Sequence, residues 1–376
     1  MQAPNSPLSG RLVSLDVFRG ATIASMMMVN NAGNWQAVYA PLKHAEWHGW
    51  TFTDTIFPSF LWIVGVAMTL SFAKRVERGD DRMKLFLHAA RRAAIIFALG
   101  LLLNLMGKFS IATLRIPGVL QRIAVCYLIA AAVYLWTRLR GQLIWTIAPL
   151  VVYWALMMLV PVPGIGAGSL EKNANLAAYI DSLFLSGHMW SSTKTWDPEG
   201  ILSTLPAIST VMFGILAGRM LRSSRSPSEK TVWLFFSGNG LIFLGGLMDL
   251  AFPINKNLWT SSFSVFMAGI SSSAFAFCYW LVDVKGWRRW AQPFAIYGMN
   301  AIAVYVLAGV FATLLGRPWL TGAGGKGLSM KGWVYQNVFA VLGSPRNASL
   351  MYALSFVLLL YLVAWVMYRR KWFVRF

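Results

Sequence analysis

The chain has 376 residues, 57% hydrophobic and 14% aromatic with only 12% charged, and a mean hydropathy of +0.57. A soluble domain carries about 25% charged residues, so a soluble enzyme, a disordered chain and a disulfide-stapled scaffold are excluded and a polytopic helical membrane protein remains. The net charge of +20 then asks which side of a membrane the positives occupy, rather than which nucleic acid they bind.

In chain order, the opening MQAPNSPLSGR is polar and has no apolar run of a signal peptide. The first span is therefore expected to act as the insertion signal. Apolar stretches of about 20 residues follow, about ten in all: 16–34, 52–73, 89–107, 117–137, 141–161, 203–222, 231–250, 259–282, 291–316 and 348–368. Helices are expected, because lipid offers unpaired backbone groups no partner. Cys126 and Cys278 lie inside apolar runs, and no disulfide is assigned. With the N-terminus in the cytoplasm, 21 of the 33 positive side chains fall on the cytoplasmic side. This predicts both termini inside and an even number of spans. The segment Trp333–Leu342 is short and apolar, and crossing there would carry the Arg-rich C-terminus outside. It reads as a partial or interfacial helix. The expectation is a single all-α membrane domain over 1–376, with outer loops at 34–51, 162–202 and 317–347.

Ionisable groups within or beside spans are costly and mark candidate sites. At the start of span one, Asp16 and Arg19 are three apart and share a helix face. They read as an ion pair fixing the helix end, or as a polar entrance with Arg19 beside an anionic ligand. Asn30 and Asn31 close that span. Next come His44, Trp47, His48 and Trp50, then Thr51-Phe-Thr-Asp54 at the start of span two. Histidine suits proton transfer at neutral pH, and Asp54 suits orienting an imidazole. The same histidines also read as interfacial residues beside their tryptophans. Their spacing of four would suit a metal on a helix, but no third ligand accompanies them, so no metal is expected.

Further along, RIPGVLQR brings Gln121 and Arg122 about one turn inside span four, where a buried Arg needs a carboxylate, a carbonyl or a ligand. Trp196-Asp197-Pro-Glu199-Gly200 precedes span six, either as a turn with acids near a helix N-terminus or as a binding element. Asn255, Lys256 and Asn257 form an outer hairpin, and Asn300 sits inside span nine, where its amide needs a partner. There is no Walker A sequence, no G-x-S-x-G elbow and no H-E-x-x-H.

RLVSLDVFRG, LKHAEWHGWTFTDTIFP, RIPGVLQR, WDPEGILSTLPAI and INKNLWTSSF, in this order, resemble the heparan-α-glucosaminide N-acetyltransferase family of transmembrane acetyltransferases, bacterial members included. The resemblance runs from Arg11 to about Tyr305 and is strong for family and weak for substrate. It implies transfer of an acetyl group from cytoplasmic acetyl-CoA to an amino sugar or glycan on the other side. It places the family's active-site histidine at His44, its asparagine at Asn30 with Asn31 as the fallback, and its aspartate at Asp54. On this reading Arg19, Gln121, Arg122 and Asn300 hold acetyl-CoA, while Trp196, Asp197, Glu199, Asn255, Lys256 and Asn257 bind the acceptor. His44 acts either as a base or as an acetyl carrier. The chain lacks the large luminal domain and extra leading span of the lysosomal members, which suggests a multi-pass enzyme of a bacterial inner membrane. Expected partners are acetyl-CoA, the acceptor, the bilayer and a second copy in a homodimer, with no nucleic acid. Two rival readings stand beside it: a sugar transporter or its accessory subunit, and an O-acyltransferase of an envelope glycan.

Overall fold

The computed structural model describes residues 12–321 and 327–374. Arg11, Lys326 and Arg375, which enter the charge count, lie outside the described residues. The helices are α1 (Val13–Asn30), α2 (Phe52–Glu77), α3 (Arg82–Lys108), α4 (Val119–Trp136), α5 (Leu139–Leu159), α6 (Leu176–Leu185), α7 (Thr204–Arg222), α8 (Pro227–Asp249), α9 (Ser261–Tyr279), α10 (Gln292–Met299), α11 (Ala301–Gly316), α12 (Met330–Val334) and α13 (Pro345–Arg369). Strand is confined to two small antiparallel hairpins among the described residues. In one β1 (Leu170–Glu171) pairs with β2 (Ala174–Asn175), and in the other β3 (Pro318–Thr321) pairs with β4 (Gly327–Ser329). The fold is that of an all-α polytopic membrane protein.

Eight of the described helices are long and apolar enough to cross a membrane: α2 to α5, α7, α8, α13, and α9 continued through Val284. Two of the ten expected spans differ from that pattern. Asp16, Arg19 and Asn30 keep α1 less apolar than these eight, and it ends at Asn30 rather than 34. The ninth span is broken: α10 and α11 meet at an angle of 83°. Asn300 sits at the break with non-helical backbone angles, φ −123° and ψ 33°. Large apolar side chains such as Leu102, Ile144, Phe236, Leu250 and Leu358 face outward, as hydrocarbon surroundings permit and water does not.

The chain divides into two compact units. One takes in residues up to His44, Thr51–Ile56 and the chain from Phe275 onward; the other takes in Ala45–Trp50 and Phe57–Ala274. In the first unit α1 packs on α10 and α13. The crossing with α10 is backbone to backbone: a Cβ on Gly20 would lie 1.7 Å from the Phe294 carbonyl oxygen, and one on Gly298 would lie 1.9 Å from that of Asp16. Only glycine permits that approach. Val13, Val17, Cys278, Val282, Ala291 and Ala295 form the core beside it. In the second unit α3 packs on α4, and both α4 and α5 pack on α7. Tyr153, Met157, Leu176, Leu202, Phe252 and Leu258 form a core that includes the outer loops, with Trp47 packed against it.

Candidate active site

The start of α2 explains why Thr51 and Asp54 are three apart. The first backbone N–H groups of a helix have no partner within it, and an acid in the first turn reaches back to supply one. Asp54 Oδ2 accepts from the Thr51 backbone N–H at 3.0 Å and from the Thr51 hydroxyl at 3.1 Å. The hydroxyl also lies 2.6 Å from the Lys43 carbonyl, and Thr53 donates to the Pro41 carbonyl at 3.3 Å. The segment before His44 is thereby stitched to the helix it precedes.

Asp54 Oδ1 is engaged by His44, whose Nδ1 lies 2.6 Å away. The Asp54 side chain is fully buried, while that of His44 is half exposed. A carboxylate only accepts, so His44 Nδ1 carries the proton and the lone pair of the neutral ring is on Nε2. This is the base–orienter arrangement of general base catalysis.

The two asparagines at the end of α1 have different commitments. Asn31 Nδ2 donates to the Met27 carbonyl of its own helix at 2.8 Å. Asn30 is exposed, and its amide has no hydrogen bond among the described residues.

In the second unit, Trp47 Nε1 donates to the Leu170 carbonyl at 2.9 Å, and its ring meets Trp196 edge-on at 5.2 Å. Trp196 is buried and packs as core. Gly49 donates to the Ile254 carbonyl at 2.7 Å. Asn255, fully buried, accepts from the Leu258 N–H at 2.9 Å and directs its amide nitrogen to His48 Nδ1 at 3.4 Å. Lys256 and Asn257 on the same hairpin are partly exposed.

The acids of WDPEG are held by Arg115. Its guanidinium forks onto Asp197, Nε to Oδ2 at 2.8 Å and Nη2 to Oδ1 at 2.6 Å, and Nη2 also reaches Glu199 Oε2 at 2.6 Å. Asp197 further accepts the N–H groups of Trp190 and Glu199, at 2.9 and 3.0 Å. Burial opposes the Arg115 charge, but the hydrogen bond to Asp197 and the charges of Glu199 and Asp197 outweigh it and raise the pKa. Burial likewise opposes the Glu199 charge, yet Arg115, Lys256 and Arg122 hold its carboxyl below the usual range. The same turn is bound by Asp181, the lone acid of the apolar helix α6. It accepts from the Asp197 and Ile201 N–H groups at 3.1 and 2.9 Å, and burial pushes its carboxyl up to about 6. Sequence reasoning assigned Asp181 no role. An acid alone in LAAYIDSLFL was the available signal, since a buried charge demands partners.

Arg122 is buried, with Nη2 donating to the Gly200 carbonyl at 3.2 Å and to the Ser203 hydroxyl, and its guanidinium lies 5.1 Å from the Trp259 ring centre. Arg122 Nε and Nη1 and Gln121 Nε2 are buried donors with no acceptor among the described residues. The other two residues expected to hold acetyl-CoA lie in the first unit and have protein partners. Arg19 is paired with Asp16. Asn300 donates to the Trp372 carbonyl at 3.1 Å and accepts from the Val374 N–H at 3.0 Å.

Comparison with known sequences adds an independent finding. The model of the family described as "Heparan-alpha-glucosaminide N-acetyltransferase, catalytic" matches residues 11–248. The chain is 30% identical over 369 residues to human heparan-alpha-glucosaminide N-acetyltransferase, covering 84% of this chain and 55% of the human protein. Against the mouse protein of the same name, identity is 30% over 356 residues, covering 79% and 53%. The chain spans about half the length of these curated relatives.

Proposed function

The chain belongs to the heparan-alpha-glucosaminide N-acetyltransferase family, and from that premise we propose that it is a membrane acetyltransferase. It moves an acetyl group from cytoplasmic acetyl-CoA to an amino sugar or glycan on the periplasmic side of a bacterial inner membrane. The observation that carries this reading is the His44–Asp54 pair, 2.6 Å apart, with the carboxylate buried and the imidazole half exposed.

On this reading His44 Nε2 removes a proton from the attacking amine as its nitrogen adds to the thioester carbonyl. Asp54 steadies the imidazolium, which then returns the proton to the departing thiolate. General base catalysis of this kind contributes about 10²- to 10⁴-fold. The open amide of Asn30 is the proposed donor to the developing oxyanion. In the second unit, the buried donors of Gln121 and Arg122 suit the carbonyl or phosphate oxygens of acetyl-CoA. Glu199, held anionic by its cationic neighbours, suits an acceptor ammonium better than Asp197, whose oxygens are filled by Arg115 and two backbone N–H groups.

The test is to incubate purified protein with labelled acetyl-CoA and a panel of amino sugars, beside His44→Ala. Transfer to an amino sugar that His44→Ala abolishes is the expected result, and full activity in that variant overturns the reading. Acetyl-His44 trapped without acceptor would replace the base mechanism by an acetyl relay through the same nitrogen.

A further inference from the structure

The loop that carries His44 carries a second histidine four residues on, and its chemistry is set differently. His48 is exposed, and its Nδ1 faces the side-chain nitrogen of Asn255 at 3.4 Å. Which end of that amide faces the ring follows from the other contact: the Leu258 N–H donates to Asn255 at 2.9 Å, and an N–H requires an oxygen there. The Asn255 backbone is fixed as well, its N–H donating to the Thr260 hydroxyl at 3.1 Å and its carbonyl accepting from the Thr260 N–H at 3.1 Å. Asn255 is fully buried, so the amide has no solvent route to reverse its ends. Gly49, next to His48, donates to the Ile254 carbonyl at 2.7 Å and has φ +90°. That conformation favours glycine and holds the loop on the hairpin at the histidine.

An amide nitrogen can only donate. His48 Nδ1 therefore carries the lone pair, and the ring's hydrogen is on Nε2. We propose that His48 is a neutral hydrogen-bond donor locked by Asn255, and that its Nε2–H recognises a hydroxyl oxygen of the acceptor sugar. The two histidines of one loop thus have opposite polarity. A buried carboxylate leaves His44 Nε2 a base; a buried amide leaves His48 Nε2 a donor. The His48 Nε2–H offers a donor and no lone pair, so it suits a sugar hydroxyl oxygen and takes no proton from the attacking amine. The recognition role rests on the acetyltransferase reading, whereas the tautomer does not.

The test has two readouts. The first is nuclear magnetic resonance of the full chain in detergent, with ¹⁵N-labelled histidine, assigned with His44→Gln and His48→Gln. At neutral pH the expected spectrum has His48 protonated at Nε2 only, and Asn255→Asp moves that proton to Nδ1, since a carboxylate accepts. A wild-type ring protonated at Nδ1, or at both nitrogens, overturns the proposal even where Asn255→Asp fails to fold. The second is acceptor preference. His48→Leu is expected to lower kcat/KM for glucosamine relative to cyclohexylamine by about tenfold, the size of one lost hydrogen bond. An unchanged ratio overturns the recognition role. If instead His44→Ala keeps full transfer, the acetyltransferase reading falls and the tautomer is still decided by the spectrum.

Discussion

Arg115 and Asp197 are 82 positions apart in the chain and meet in a two-pronged contact, at 2.8 and 2.6 Å. The Asp197 side chain is fully buried and that of Glu199 nearly so. Arg115→Ala leaves Asp197 without its paired cation and Glu199 with only the charges of Lys256 and Arg122, and removing one partner of a buried pair costs about 3–5 kcal/mol. Arg115→Lys keeps the charge and loses the fork, so it should fall between wild type and Arg115→Ala. Thermal unfolding in detergent ranks the three. An unchanged midpoint for Arg115→Ala would remove this contact from the stability of the outer loops.

Asp54→Asn keeps an oxygen for the Thr51 N–H but no longer offers His44 a carboxylate. Acetyl transfer should fall by about 10²- to 10⁴-fold in kcat, with the KM for acetyl-CoA little changed. Steady-state kinetics reads both. Retention of half the wild-type kcat would take from Asp54 its role as orienter.

Asp181 gives the outer loops a pH dependence with a defined sign. Its carboxyl is raised from 3.8 to about 6 in the folded protein, so the fold prefers it protonated. Its stabilising contribution is complete below about pH 4 and is lost as pH rises through about 6. Asp181→Asn removes that titration. The unfolding midpoint of the variant relative to wild type should therefore rise between pH 4.5 and 7.5. Glu199, held low, works the other way: its contribution is present above its ordinary range and is lost on acidification. Comparing the two proteins at each pH cancels the Glu199 effect. A difference that does not change with pH would contradict the assignment.

Asn300 at the bend between α10 and α11 binds the backbone of the C-terminal segment at Trp372 and Val374. Asn300→Leu removes both hydrogen bonds, each worth about 0.5–1.5 kcal/mol. The segment should detach, and trypsin should cut faster after Arg369, Arg370 and Lys371. Gel analysis of a digestion time course is sufficient. Equal rates in wild type and variant would mean that the amide does not hold the segment.

The charge asymmetry predicts sidedness. Ser192 and Ser224 are exposed, and the two native cysteines are buried. In intact cells a membrane-impermeant thiol reagent should label Ser192→Cys, and should label Ser224→Cys only after the membrane is opened. The reverse pattern would invert the topology.

Much of this protein is determined locally and was legible in its sequence. Apolar runs long enough to span lipid mark most of the helices, because a backbone in hydrocarbon must bond to itself. The His44–Asp54 pair was within reach too: ten residues separate the two, and the capping of α2 by Thr51 and Asp54 is set within one helical turn. Only the tertiary structure decided the rest. Arg115 with Asp197, Asp181 with the turn at Asp197, Asn255 with His48 and Asn300 with Trp372 are separated by 82, 16, 207 and 72 positions. No residue pattern at those distances announces a contact, because the partners are chosen by how helices and loops pack. The bend at Asn300 is of the same kind. An apolar run over 291–316 reads as one straight span, and its break shows only when the C-terminal segment arrives to satisfy the amide there. Composition and spacing thus determine what can cross the membrane and where a helix begins. Packing determines which buried polar group finds a partner, and so which side chain each histidine of the loop faces, Asp54 at His44 and Asn255 at His48.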